Sequence, residues 1–97
     1  MRVISKKTLR EFWIIHKEAE QPLRTWYSEA SKALWETPNQ IKKDYVKASI
    51  ITNNRVVFNI CGNKYRLIVK INYKRSWVFI RFIGTHQDYN KIDATTI

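Results

Sequence analysis

Val56-Val57-Phe58-Asn59-Ile60, a Cys61-Gly62-Asn63 turn, Lys64-Tyr65-Arg66-Leu67-Ile68-Val69-Lys70-Ile71-Asn72-Tyr73, a Lys74-Arg75-Ser76 turn, and Trp77-Val78-Phe79-Ile80-Arg81-Phe82-Ile83-Gly84 follow one another without interruption. Each run is rich in Val, Ile, Phe and Tyr, and each break is long enough only for a reversal, so the stretch reads as an antiparallel β-meander. The third run ends at Gly84 and delivers Thr85, His86 and Tyr89 just past its edge. Lys64, Arg66, Lys70 and Arg81 lie inside the strands, where a purely structural sheet would more often carry Thr or Val.

Side chains alternate across a strand, so the faces can be sorted by parity. Tyr65, Leu67, Val69, Ile71 and Tyr73 make one apolar face, which is expected to pack under helices. Lys64, Arg66, Ile68, Lys70 and Asn72 make the other. In the next strand Val78, Ile80 and Phe82 suit the core, which leaves Trp77, Phe79, Arg81 and Ile83 opposite. Arg66 and Arg81 then share an open face that is both aromatic and cationic. Such a surface suits single-stranded RNA, because bases stack on rings while guanidinium groups hold phosphates. A bulge near Gly62 would shift this parity.

Upstream, Arg2-Val3-Ile4 is short and apolar enough for a first strand, at the edge or in the centre. Thr8-x-x-Glu11 has the form of a capping box, and Leu9, Phe12, Trp13 and His16 recur at helical spacing, which predicts a helix over about residues 6–18. His16 completes the apolar face and reads as a packing histidine. Pro22 suits the first turn of a second helix, and Leu23, Trp26, Tyr27, Ala30 and Leu34 continue the pattern to Thr37-Pro38, for a span of about 22–36. Trp26, Tyr27 and Trp35 are expected to form the layer that covers the sheet. Residues 39–43 read as a polar, basic connector with a helical turn, and Tyr45 to Ile51 as a weak strand before the Thr52-Asn53-Asn54-Arg55 turn. The fold class expected is α+β, one domain over residues 1–97, with N-terminal helices on a mostly antiparallel sheet and a short C-terminal helix.

Ninety-seven residues suffice for one modest core, and 44% hydrophobic residues argue against disorder despite a net charge of +10. No apolar run approaches the roughly 18 residues needed to span a bilayer, and Met1 to Lys7 lacks the apolar centre of a secretory signal, so the expected location is the cytoplasm with no membrane partner. The single cysteine cannot form an internal disulfide, and two histidines, at 16 and 86, offer no metal-ligand spacing. No metal or cofactor is expected. Residues 42–81 carry ten basic residues against Asp44 alone, so the positive charge belongs to the sheet half. That density draws polyanions, most commonly nucleic acid, with an attraction that falls steeply with salt. A solvated basic surface, or one matched to an acidic protein partner, is the plainer alternative.

The chain resembles the HigB toxins of bacterial type II toxin–antitoxin systems, a branch of the RelE-like messenger-RNA interferases. The resemblance rests on residues 56–73 and on V-F-I-R-F-I-G-T-H-Q-D-Y-N-K-I-D at 78–93, with support from W-Y-S-E-A-S-K-A-L-W at 26–35 and Asn53-Asn54-Arg55. It implies a compact RelE-like domain that enters the ribosomal decoding site and cleaves mRNA without a metal. It also implies a HigA-type antitoxin with a helix-turn-helix domain, through which alone the pair would reach operator DNA. The arginine of the family's Y-R-L motif and a basic or histidine residue after the last strand's glycine fall on Arg66 and His86. Cys61 stands where glycine is common, and Asn90 where aspartate is frequent.

Metal-free RNA cleavage needs an anion clamp, a base and an acid. Arg66 suits the clamp, since a guanidinium braces phosphate oxygens and keeps its charge. Lys64 adds charge or, if cationic neighbours depress its pKa, acts as base. His86 fits the general acid, an imidazole being able to give or take a proton near neutral pH, with Tyr89 as a stacking or proton-handling neighbour. Lys70, Arg81, Lys74 and Arg75 are expected to position RNA. Two other readings use the same surface: a noncatalytic RNA- or ribosome-binding module, and a structural partner whose basic face receives an acidic antitoxin segment.

Overall fold

The three apolar runs become β3 (Arg55–Ile60), β4 (Tyr65–Asn72) and β5 (Trp77–Thr85) in a computed structural model that describes residues 1–97. Adjacent strands pair antiparallel, Ile60 opposite Tyr65 and Asn72 opposite Trp77, so both connections are tight reversals as expected. β1 (Arg2–Ile4) adds to β5 in parallel, and β2 (Ser49–Ile51) adds to β3 antiparallel. The sheet order is β1-β5-β4-β3-β2, which makes β1 an edge strand and β4 the centre. Asn53 and Asn54 turn the β2–β3 reversal with φ of 60° and 59°, a left-handed conformation that asparagine tolerates better than most side chains. Cys61 also takes a left-handed conformation, φ 56°, followed by Gly62 at 66°, the region that glycine enters most readily.

α1 (Lys6–Ile15), one 3₁₀ turn over Lys17–Ala19, and α2 (Glu20–Lys32) lie across one face of the sheet. α1 is shorter than the periodicity suggests, and its N-cap is Ser5, so the capping box read at Thr8 does not form. The reciprocal box forms instead at α4 (His86–Tyr89): the Asp88 amide donates to Thr85 Oγ1 at 3.1 Å and the Thr85 amide to Asp88 Oδ2 at 3.3 Å. α2 begins at Glu20, which puts Pro22 in its first turn, but it stops at Lys32 rather than 36. Ala33 turns extended there. Trp35 can then enter the core and donate its indole N–H to Asp44 Oδ2 at 3.0 Å, while Leu34, expected on the packed face, is 80% exposed. The basic connector is a full helix, α3 (Pro38–Asp44).

Leu9, Trp13, Leu23, Trp26, Ala30 and Trp35 pack on Val56, Phe58, Ile60, Tyr65, Leu67, Val69, Ile71 and Val78 in one continuous core. Trp26, Trp35 and Tyr27 are therefore covering aromatics, with Tyr27 half-buried. His16 packs as read, its ring stacked on Phe12 at 4.4 Å. The parity read for β5 fails at one point. Ile68 pairs with Phe82 and Val69 with Ile80, so Arg81 is the extra residue of a β-bulge. Beyond it the alternation inverts: Ile83 packs against the core, and Phe82 lies on the Arg66 face. That face is also less open than expected, because Val57 and Ile68 are buried on it and main-chain oxygens of residues 95 and 97 are bonded to Asn53, Arg55 and Arg81.

Phe58 holds the centre, with ring centroids 5.3 Å from Trp26, 6.2 Å from Trp35 and 5.1 Å from Tyr45. Phe58→Ala opens a cavity among rings that cannot close on it and should cost about 3–5 kcal/mol of unfolding free energy, read by urea denaturation.

Candidate functional site

Strand register brings Asn59 on β3, Arg66 on β4 and Gly84 on β5 into one row. Arg66 Nη1 donates to Asn59 Oδ1, and its Cζ lies 5.5 Å from the centre of the Tyr89 ring. The His86 ring stands edge-on to Tyr89, centroids 6.5 Å apart. Gly84 permits this closeness. A Cβ there would fall 2.5 Å from Phe82 Cζ and 3.2 Å from Asp88 Cβ, so any side chain would push the Phe82 ring or α4 away. Thr85 caps α4 through the reciprocal pair with Asp88, which sets His86 at the first helical position and Tyr89 one turn on.

The electrostatics of Arg66 are unusual for a half-buried guanidinium. Its partners are a neutral amide and an aromatic ring, no carboxylate pairs with it, and its Nε is buried without a partner. An uncompensated cation with idle donors is what an anion clamp requires.

Arg66, His86 and Tyr89 are thus neighbours, but Lys64 is not with them. It precedes β4 and turns toward the helices, where its Nζ lies 2.5 Å from Glu18 Oε1. That hydrogen bond and charge raise its pKa above the ordinary lysine value, opposite to the depression a general base at that position needs. Lys70 is exposed on the Arg66 face, four residues along β4 and roughly 13 Å away by strand rise. Arg81 makes no ion pair with Asp88 or Asp93, and its Nε donates to the Ile97 main-chain oxygen at 3.2 Å. Lys74 and Arg75 sit in the far turn, Arg75 stacked over Trp77 at 5.4 Å.

Three residues of consequence escaped the sequence reading. Asn59 and Arg55 belong to the same face of β3, a fact available from the Arg55-Val57-Asn59 alternation, whereas nothing in the sequence pairs Glu18 with Lys64. The concave spaces of the surface, about 340 to 500 Å³, lie beside Tyr45 and beside Lys70 and Phe79, and none includes Arg66 or His86. The Arg66 site is a shallow surface, a shape suited to a polymer more than to a small enclosed substrate. No helix is long and apolar enough to cross a membrane.

The family model described as HigB_toxin, RelE-like toxic component of a toxin–antitoxin system, matches residues 19–92. No curated protein matches the chain. The matched stretch includes Asn59, Arg66, Gly84, His86 and Tyr89 and leaves out β1, α1 and Glu18.

Glu18 ties that outer part to the rest, since its Oε1 accepts from both Lys64 Nζ and Tyr65 Oη. These bonds, Lys64 first, lower its pKa from 4.5 to about 2. A carboxylate held below its unfolded value adds stability that is fully present above pH 4.5 and is lost as pH falls toward 2. The midpoint of thermal unfolding should therefore drop across that acid window, and Glu18→Gln should flatten the drop while lowering the midpoint near neutrality.

Proposed function

The chain belongs to the HigB toxin family, the RelE-like toxic components of toxin–antitoxin systems, and from that premise we propose that it is a metal-independent endoribonuclease cutting translated mRNA in the ribosomal decoding site. Membership implies an antitoxin as partner. In this reading that antitoxin is of the HigA type, with a helix-turn-helix domain that alone contacts operator DNA, and the toxin acts in the cytoplasm. The observation that carries the reading is the Arg66 guanidinium, braced by Asn59 and Tyr89, free of any carboxylate, and one aromatic ring away from His86.

The chemistry follows from these residue types. The 2′-hydroxyl of the target nucleotide gives up its proton to solvent water and attacks its own 3′-phosphate, negative charge builds on the equatorial oxygens, and the bond to the 5′ oxygen breaks. Arg66 stabilises that charge with its unpaired N–H groups, which gain most when charge is greatest. His86 gives a proton to the departing oxygen. Tyr89, packed against both, fixes the guanidinium plane and the position of the imidazole. Lys64 serves the fold through Glu18 and not the proton transfer. Lys70 and Arg81 hold the RNA backbone along the same face, with Lys74 and Arg75 as outlying cationic contacts.

Mapping 5′ ends in antitoxin-free bacteria that express the toxin tests the proposal. New cuts within translated frames are expected, with Arg66→Ala and His86→Ala each lowering them about 100-fold or more while antitoxin binding persists. No new cuts from soluble protein would leave the alternative of a noncatalytic RNA- or ribosome-binding module. Loss of antitoxin binding in both variants, again without cuts, would point to a basic face built only to receive the antitoxin.

A further inference from the structure

Arg55 opens β3 and is the one buried charged side chain, 7% exposed. Its Nη1 donates to the Asn53 carbonyl at 3.0 Å and its Nη2 to the Ile97 main-chain oxygen at 2.6 Å, while its Nε is buried with no partner. Arg81, the bulged residue of β5, donates its Nε to the same Ile97 oxygen at 3.2 Å. Two guanidiniums from different strands thus converge on one oxygen of Ile97. Lys70, paired with Arg55 across β3 and β4 and exposed, brings a third positive charge to the same face.

No acidic side chain balances this cluster. The ion pairs are Arg24–Glu20 and Lys64–Glu18, both elsewhere. Asp88 is held in the α4 capping box, and Asp93 turns its carboxylate back onto Thr95, accepting from its amide at 2.9 Å and its hydroxyl at 2.6 Å. A buried guanidinium is costly unless its donors are met, and here the Arg55 Nε is not. The segment that supplies the oxygen has no regular structure, and its side-chain anchors are the Arg55 and Arg81 bonds and Asn53 Nδ2 to the Thr95 carbonyl at 3.0 Å.

We propose that Arg55 and Arg81, with Lys70 beside them, form an anion subsite for a backbone phosphate of single-stranded RNA, and that residues 93–97 are a strap which occupies this subsite until RNA displaces it. The inference rests on the reading of this sheet face as RNA-cleaving and adds a second anchoring point to it. Arg55 is level with Lys70, so the subsite lies roughly 13 Å along the strands from Arg66. A short stretch of extended single strand crosses that gap. An RNA reaching both points is gripped at Arg66 and at Arg55, whereas a shorter one meets the strap still in place.

Binding of a fluorescent single-stranded RNA oligonucleotide to the full chain, measured by anisotropy across a salt series, tests this independently of cleavage. Arg55→Gln and Arg81→Gln should each weaken binding about tenfold at low salt and reduce the slope of log K against log salt by about 0.7, the loss of one phosphate contact. Should Arg55→Gln fail to fold, the exposed Arg81 variant carries the same prediction. Asn53→Ala, which frees the strap and leaves every cation, should tighten binding severalfold, and hydrogen exchange at residues 95–97 should quicken when RNA binds. Unchanged slopes in both arginine variants, slower exchange in the strap on binding, or no RNA binding by the wild type at low salt would each overturn the subsite. If cleavage depends on Arg66 and His86 while these slopes stay unchanged, the subsite fails and the nuclease stands. If the slopes fall but no RNA is ever cut, the subsite stands and the nuclease fails.

Discussion

The position of every residue in the candidate site depends on the pairing of β4 between β3 and β5. β4 buries Tyr65, Leu67, Val69 and Ile71 under the helices and Ile68 on the opposite face, so a one-residue slip would expose four apolar side chains to gain one. Burial on both sides pins the register. With the register pinned, Arg66 stands between Asn59 and Gly84, and the strand after Gly84 must present α4 beside it. The bulge at Arg81 is part of the same constraint, because it returns Ile83 to the core while placing Phe82 on the Arg66 face.

The acidic residues are spent on partners other than the arginines of that face. Glu18 serves Lys64 and Tyr65, Glu20 serves Arg24, Glu29 accepts from Tyr45, Asp44 from Trp35, and Asp88 and Asp93 close local turns at the C-terminal end. Burial and Glu29 together push the Tyr45 phenol well above its usual range, so this bond persists as a neutral hydroxyl donating to a carboxylate. The result is a division of labour by charge: acids fasten the helical layer and the turns, and Arg55, Arg66, Lys70 and Arg81 pair with no acidic side chain. A field of one sign over a shallow surface draws a polyanion from a distance, and idle guanidinium donors then meet its phosphates.

Much of this was legible in the chain. The meander was, because Val, Ile and Phe runs broken by three-residue turns leave little else to form. So were the helical cover of Trp26 and Trp35 and the place of Arg66 on the face away from it, since parity within one strand needs no knowledge of its neighbours. Helix ends were less so. The boundary near Trp35 moved because a buried indole hydrogen bond to Asp44 outweighed continued helical periodicity, and the capping box formed at Thr85 because that is where the chain leaves the sheet.

The sequence by itself determined the strands, their order in the meander, the surplus of positive charge in the sheet half and the presence of Arg66 and His86 at opposite ends of one motif. Those are properties of local alternation, turn chemistry and composition. Only the tertiary structure decided that Tyr89 stands between Arg66 and His86, that Lys64 is drawn off to Glu18, that parity inverts at Arg81, and that Ile97 comes back to Arg55 across 42 residues. Each is a contact between segments far apart in the chain or a shift in strand pairing, and such choices are set by which partner relieves the most buried charge and apolar surface in three dimensions, a competition that no single stretch of sequence contains.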